Sequence, residues 1–309
     1  MAHVFITRPL PGPALEVLSA AGHDLDVHPG PLPPTTAELQ AGLAGAEGLL
    51  CLLTERIDAA VLAAAPKLRA IANYAVGCDN IDLHAAAARG IPVGVTPDAL
   101  TDATADLTLA LLLAAARKLP QAAADVHADA WHTWEPSGWL GLELRGATLL
   151  IVGPGRIGGA VAERARAFGM TIETAGREDD LHAALARADI VSLHVPLTAR
   201  TQHLIDAAAL DAMKPTAILV NTARGALVDQ VALAGALHDQ TIAAAALDVT
   251  DPEPLPPSDP LLQAPNLIVL PHIGSATTRA RERMAQLAVD NLIAALDGWP
   301  MPSPAPAPS

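Results

Sequence analysis

The sequence predicts an α/β fold made of two doubly wound parallel-sheet domains. Three observations predict it. Short apolar runs alternate with helical stretches from the first residues onward. The alternation is interrupted near the middle of the chain and then restarts. The restart opens with a strand, a glycine-rich loop and a helix. At roughly 100–200 residues per domain, a chain of 309 residues divides naturally into two.

In the first series, residues 4–7 read as a short buried strand, and 13–21 as a helix that Gly22 stops. A second strand is predicted at 25–28. Thr35 and Glu38 have capping-box spacing, each side chain able to meet the other's backbone amide, so a short helix opens there. Residues 48–52 and 70–73 are strand-like apolar runs, with a helix at 58–65 between them. A further helix at 82–89 ends at Gly90, and 92–95 is the last strand of the series. Strands joined in this way by helices run parallel, and a parallel sheet needs helical cover on both faces.

A longer helix at 102–118 carries Leu107, Leu111, Ala114 and Ala115 at helical spacing. The following segment, 121–146, holds Trp131, Trp134 and Trp139, three of the four tryptophans. The second series then begins at Thr148, with strands expected at 149–152, 171–175, 190–194, 218–221, 243–247 and 267–270. A long helix at 276–296 follows, and the Pro- and Ala-rich stretch 300–309 is expected to be disordered. The expected division is residues 1–98 plus 283–309 for a discontinuous first domain and 99–282 for a second, with a cleft expected between the two.

Composition narrows the function. Nineteen Lys and Arg against 33 Asp and Glu give a formal charge of −14. Such a surface repels nucleic acid and anionic membranes. The 51% hydrophobic content supports a packed core, which Ala, Leu and Val must fill because aromatics are only 2%. Two cysteines, Cys51 and Cys78, form neither a CxxC pair nor a zinc pattern, which suits a reducing cytoplasm and predicts no metal. The N-terminus has no signal-peptide layout, and the apolar stretch 107–116 is too short to span a bilayer. A soluble cytoplasmic protein is expected.

The glycine loop carries the first chemical signal. Strand 149–152 runs into Gly153, Gly155 and Gly158 at G-x-G-x-x-G spacing and then into a helix. Gly153 permits the tight turn, Gly155 the approach of a pyrophosphate, and Gly158 close helix–strand packing. The helix N-terminus supplies amides and a favourable dipole for an anion. Pro154, which lacks an N–H, cannot donate there. An acidic residue at the end of the next strand would select NAD; Gly176 and Arg177 stand there instead. A guanidinium in that place suits the 2′-phosphate of NADP, so NADP is the preferred cofactor, with NAD possible. Arg177 could alternatively pair with Glu178 or Asp179 on a solvated turn.

Three further segments place ionisable residues near strand ends: 221–225 with Arg224, 248–256 with Asp248 and Glu253, and 271–276 with His272. Together with 73–82, 96–113 and 213–225, these stretches resemble the D-isomer-specific 2-hydroxyacid dehydrogenases, most closely the glyoxylate/hydroxypyruvate reductases. The resemblance runs through most of the chain and implies a flavodoxin-like substrate domain beside a Rossmann dinucleotide-binding domain. It implies NAD(P)H-dependent reduction of a small 2-oxo acid to the D-2-hydroxy acid. Arg224 would grip the substrate carboxylate, His272 would protonate the carbonyl oxygen, and Glu253 would back His272. The turn at Val76 and Gly77 would give amides to the same carboxylate. Arg156 and Ile157 would lie along the pyrophosphate. Pro196, Thr222 and Gly274 would line the cofactor path, with Asp248 near the nicotinamide carboxamide.

The resemblance also implies that the tryptophan-rich segment, about 120–146, is a homodimer arm, with Trp134 approaching the substrate site of the second subunit. Self-packing within the arm is the alternative. Rival activities on the same framework are a phosphoglycerate or D-lactate dehydrogenase, a formate dehydrogenase, and a non-enzymatic nucleotide-sensing protein. The chain length disfavours the longer phosphoglycerate type. Glu253 disfavours formate oxidation, where the resembling family branch has Gln.

Overall fold

The computed structural model describes residues 1–307 and divides them into two compact units, Met1–Leu100 with the C-terminal segment from Ala276, and Thr101–Ser275. The first unit carries strands β1 (His3–Ile6), β2 (Asp24–Val27), β3 (Gly48–Cys51), β4 (Ala70–Asn73) and β5 (Val93–Gly94). Between them lie helices α1 (Ala14–Ala20), α2 (Thr36–Leu43), α3 (Ala59–Ala63) and α4 (Leu83–Ala88). The sheet order is β2-β1-β3-β4-β5, and the paired strands run parallel. β3 and β4 are central and buried along their whole length, whereas β2, at the edge, alternates exposed and half-buried residues. That is the pattern expected of strands covered on two faces and on one.

One face of this sheet packs on α1 and the long C-terminal helix (Thr278–Leu296) through Leu18, Met284, Val289 and Leu292. The other packs on Leu39, Leu43, Val61 and Leu62 of α2 and α3. The capping box at Thr35 and Glu38 is formed. Asp58 and Asp82 cap α3 and α4 by accepting backbone N–H groups. Some of the acidic surplus therefore serves helix N-termini, where negative charge is stabilising.

The second unit opens with α5 (Thr101–Ala116) and α6 (Leu119–His127), then enters its own sheet. Its strands are β6 (Thr148–Val152), β7 (Thr171–Ala175), β8 (Ile190–Leu193), β9 (Ile218–Asn221), β10 (Ala244–Leu247) and β11 (Leu267–Val269). Helices α7 (Arg156–Ala167), α8 (Leu181–Leu185), α9 (Ala207–Asp211) and α10 (Gln230–His238) connect them. The order is β11-β10-β9-β8-β6-β7, again parallel throughout. β6 therefore lies between β7 and β8, and the chain reverses its winding direction there. Crevices at the carboxyl ends of strands at such a switch point are where open α/β sheets take ligands. On one face Leu109, Leu112, Val161 and Ala165 of α5 and α7 pack on Leu149 and Ile151. Arg164 of α7 also bridges to Asp102 at 2.8 Å and Asp106 at 2.6 Å on α5.

Two sequence expectations need correction. The C-terminal helix is continuous from Thr278 to Leu296 and belongs whole to the first unit, so no boundary falls inside it at 283. A helix buried along one stripe moves as one body. The stretch after it is not disordered as far as residue 307. Val95 N donates to Ser303 O (2.9 Å), Ala305 N to Val93 O (2.7 Å), and Ser303 N to Asn291 Oδ1 (2.9 Å). Pro304 pairs antiparallel with Gly94, and Met301 is buried. The edge of β5 offers unpaired backbone groups, and the non-proline residues of the tail supply the partners. The remaining two residues of the 300–309 expectation lie outside the described residues.

Candidate active site

The carboxyl ends of the second sheet, with the loops and helix start that follow them, gather the predicted residues of that unit apart from Trp134. The loop after β6 carries Gly153, Gly155 and Gly158. Gly153 has φ +89°, and a Cβ there would stand 2.7 Å from Val195 Cγ1 and 2.9 Å from the His194 carbonyl carbon. Only glycine fits this turn on both counts. A Cβ on Gly158 would lie 2.5 Å from Gly153 O. Gly155, by contrast, has nothing within 4 Å of its Cβ direction and is the N-cap of α7 with no side-chain cap. The helix N-terminus thus opens outward with its first amides uncapped by side chains. A dinucleotide pyrophosphate fits this cradle in charge and in space.

At the end of β7, Gly176 N donates to Asp179 Oδ2 (2.7 Å). This turns the nearest carboxylate back onto the chain. Arg177 is exposed and makes no ion pair among the described residues, so the pairing with Glu178 or Asp179 is not formed. Pro196, after β8, accepts Thr201 Oγ1 at its carbonyl (2.7 Å). Thr222, after β9, shares a buried 2.9 Å hydroxyl contact with Thr108 of α5.

Arg224 follows two residues later, on a loop that Asn221 shapes from both sides. Asn221 Nδ2 donates to Arg224 O (2.8 Å), and its Oδ1 accepts Ala223 N (3.0 Å). The next residue, Gly225, is buried, and a Cβ there would run into the Thr250 carbonyl. The loop after β9 is thereby pressed against the loop after β10 that carries Glu253.

His272 follows β11 with φ +55°, a left-handed conformation uncommon for a residue with a Cβ. The loop is held by Asp248, at the end of β10. His272 N donates to Asp248 O (2.8 Å), Ile273 N to Asp248 Oδ1 (2.7 Å) and Gly274 N to Asp248 Oδ2 (2.7 Å). Burial raises the carboxyl of Asp248 above its ordinary value, while the two amides pull it back down. His272 Nδ1 lies 2.9 Å from Glu253 Oε2, and Glu253 Oε1 accepts Thr250 N (3.1 Å). One carboxylate thus orients the ring through Nδ1, and the other ring nitrogen, Nε2, is not used in that contact. A side chain so held can give or take a proton at that atom.

The first unit places Val76 and Gly77 just beyond the end of β4, with Val76 exposed. In the second unit, Trp131, Trp134 and Trp139 line one open pocket together with Ala122 and Val126. All three rings are exposed, Trp134 to 79%. Sequence reasoning gave no role to His194, which directly follows β8 beside the glycine loop. Burial lowers its imidazole to about 4, and Nε2 meets Ser192 Oγ at 2.8 Å. It also passed over Thr104 and Thr108, although their four-residue spacing on an apolar helix was a visible signal. No group of three His, Cys, Asp or Glu side chains suited to a metal ion occurs among the described residues. Nor is any described helix long and apolar enough to cross a membrane.

A parallel sheet with a phosphate cradle at its switch point and a carboxylate-backed histidine at its strand ends defines a nicotinamide-dependent dehydrogenase. Residues 109–274 match the profile of the D-isomer specific 2-hydroxyacid dehydrogenase NAD binding domain, and the chain belongs to that family. It is 46% identical over 305 residues to a glyoxylate reductase of Korarchaeum cryptofilum, covering 94% of this chain and 92% of that protein. A crystal structure of a Thermus thermophilus protein aligns with TM-score 0.93 and 50% identity, over 98% of this chain and all of that one. An NADPH-dependent glyoxylate/hydroxypyruvate reductase from Sinorhizobium meliloti, solved with NADP and malonate, aligns with TM-score 0.86. It is 34% identical over 98% of this chain and 96% of that one.

Proposed function

We propose that this protein reduces glyoxylate and hydroxypyruvate to the corresponding 2-hydroxy acids, of D configuration where a stereocentre forms, with NADPH preferred over NADH. The observation that carries the reading is the His272–Glu253 pair, 2.9 Å apart at the strand ends of the dinucleotide-binding unit.

The chemistry follows from the residues. Arg224 takes the substrate carboxylate through two parallel N–H donors, which a planar guanidinium supplies and an ammonium does not. The backbone amides of Val76 and Gly77 serve the same carboxylate. When bound, the reduced nicotinamide supplies the hydride. His272, oriented by Glu253, delivers a proton from Nε2 to the carbonyl oxygen, which keeps negative charge from building there. Asp248 holds the His272 loop through the Ile273 and Gly274 amides.

Gly153, Gly155, Arg156, Ile157 and Gly158 would hold the pyrophosphate. Pro196, Thr222 and Gly274 would line the rest of the cofactor path. Gly176 and Arg177 would take the adenosine ribose with its 2′-phosphate, a reading supported by the unpaired guanidinium and by the retraction of Asp179. The relatives named above carry the substrate assignment, and the Sinorhizobium enzyme supports the NADPH preference. The exposed tryptophans support a homodimer in which Trp131 and Trp134 dock on the second subunit. Trp134 would then reach that subunit's substrate. Cys51 and Cys78, both thiols, suit a reducing cytoplasm.

The deciding experiment is direct. Loss of nicotinamide absorbance on adding glyoxylate or hydroxypyruvate is expected, with higher kcat/KM for NADPH than for NADH. No turnover with any small 2-oxo acid would leave a nucleotide-sensing protein in its place.

A further inference from the structure

In the first unit, two loops leave neighbouring strand ends, residues 52–57 after β3 and 74–81 after β4. Asn80 joins them. Its side-chain nitrogen donates to Leu52 O and to Glu55 O, both at 3.0 Å. Its oxygen accepts Asn73 Nδ2 at 3.0 Å, and the same nitrogen of Asn73 reaches Gly77 O at 2.9 Å. Asn73 is fully buried, and its own oxygen accepts the Cys51 thiol at 3.6 Å. Burial, and then the nearby Glu55, push that thiol's pKa up, so it stays a donor.

The first loop is anchored underneath by Glu55, itself buried. Glu55 Oε2 accepts Leu52 N (2.6 Å) and Thr7 Oγ1 (2.7 Å), and Oε1 accepts Thr54 Oγ1 (2.5 Å). Backbone bonds complete the connection, from Ile57 N to Asn80 O and from Tyr74 N to Cys51 O, both 2.8 Å.

These bonds bear on two particular amides. Thr96 N donates to Ala75 O at 2.8 Å. That oxygen shares a peptide plane with Val76 N, so the direction of the Val76 amide is fixed. At the other end the Asn73–Asn80 pair pins Gly77 O. Gly77 would otherwise be the freest residue of the turn. The Val76 amide thus lies in one pinned plane, and the Gly77 amide lies between that plane and the one holding Gly77 O, which depends on Asn73 and Asn80.

We propose that Asn80, acting through Asn73, is a positioning residue for the substrate carboxylate: it locks the 74–77 turn to the 52–55 loop and so presents the Val76 and Gly77 amides preformed. This rests on the reading in which those amides bind the carboxylate. An anion site whose donors need no reordering binds more tightly than a loose one with the same donors. The Asn80 side-chain nitrogen and oxygen are engaged by the two loops themselves, so its loss weakens substrate capture and leaves the proton and hydride chemistry in place.

The test combines kinetics with hydrogen exchange on Asn80→Ala. In the substrate-free protein, amides of residues 74–81 should exchange faster than in wild type. KM for glyoxylate should rise by about tenfold or more, with kcat at saturation nearly unchanged. NADPH affinity, measured by fluorescence, should be unaffected. Asn80→Ser, which keeps one donor and one acceptor on a shorter side chain, should fall between the two and serves if the alanine variant does not fold. Unchanged exchange overturns the lock. Faster exchange with unchanged KM overturns the link to substrate. A parallel fall in kcat, NADPH affinity and thermal stability overturns positioning in favour of a purely structural role. A wild type that turns over no 2-oxo acid overturns the functional reading, and this proposal with it. An active wild type with an unaffected variant overturns this proposal alone.

Discussion

His272 Nδ1 and Glu253 Oε2 are 2.9 Å apart, and the other oxygen of Glu253 is tied to the Thr250 amide. The carboxylate therefore cannot swing away from the ring without losing a second bond. Replacing Glu253 by Gln keeps the size and removes the carboxylate that holds the ring at Nδ1. The expected result is a kcat for glyoxylate reduction lower by about a hundredfold, with NADPH affinity retained. His272→Ala should lose at least as much. Stopped-flow turnover with a parallel NADPH titration checks both, and near-normal kcat in either variant would remove the pair from the chemistry.

Arg224 sits on a loop whose shape Asn221 and the Gly225–Thr250 contact dictate. Arg224→Lys keeps the positive charge and loses the two-pronged donor. KM for glyoxylate should rise by about tenfold to a hundredfold, and kcat should also fall because the carbonyl is no longer held in register. A lysine variant with unchanged KM would mean that charge alone suffices.

Asp248 gives both carboxylate oxygens to amides of the loop that carries His272. Asn in its place presents one oxygen and one NH₂ group, and the NH₂ would face an N–H donor. Asp248→Asn should therefore lower kcat by about tenfold while changing KM for glyoxylate less. Steady-state kinetics decide this, and an unaffected kcat would show that the loop keeps its left-handed turn at His272 unaided.

The two parallel sheets were legible because their strands are continuous apolar runs separated by helices. β3, β4, β6 and β8 are buried along nearly all of their length. The short helices α8, α9 and α10 were not assigned from the sequence, though Asp180, Asp206 and Asp229 cap them. A single Asp before a few alanines is too common to carry such an assignment. The tail misled because composition reports what a segment can do alone, and its ordering depends on the distant edge of β5 and on Asn291. At the site, motifs gave Arg224, Glu253 and His272. They did not give Asn80, or the grip of Asp248 on two amides. Hydrogen bonds from side chain to backbone leave no periodicity in a sequence.

Arg177 is the one cationic side chain that directly follows Gly176 at the end of β7, and Asp179 is turned onto the Gly176 amide. Arg177→Ala should raise KM for NADPH by about tenfold or more, the loss of a charge-assisted phosphate contact, and leave KM for NADH nearly unchanged. Initial rates with both cofactors check this. Equal effects on the two would separate Arg177 from the 2′-phosphate.

His194 gives a stability prediction whose sign can be worked out. Its imidazole is lowered by burial to about 4 from an ordinary 6.5. Above 6.5 it is neutral in both folded and unfolded chains and contributes no pH dependence. Between 6.5 and 4 the unfolded chain takes up a proton that the folded chain refuses, so the unfolded state gains. The stabilising difference is thus complete above pH 6.5 and is lost as pH falls toward 4. With 6.5 − 4 = 2.5 units, the loss from this group is at most about 3 kcal/mol. Urea melts of wild type between pH 7.5 and 4.5 should show the midpoint falling through this window. His194→Gln, which carries no titrating ring, should fall less steeply over the same range, whatever its starting stability. Identical slopes for the two proteins would mean that the ring accepts its proton inside the fold.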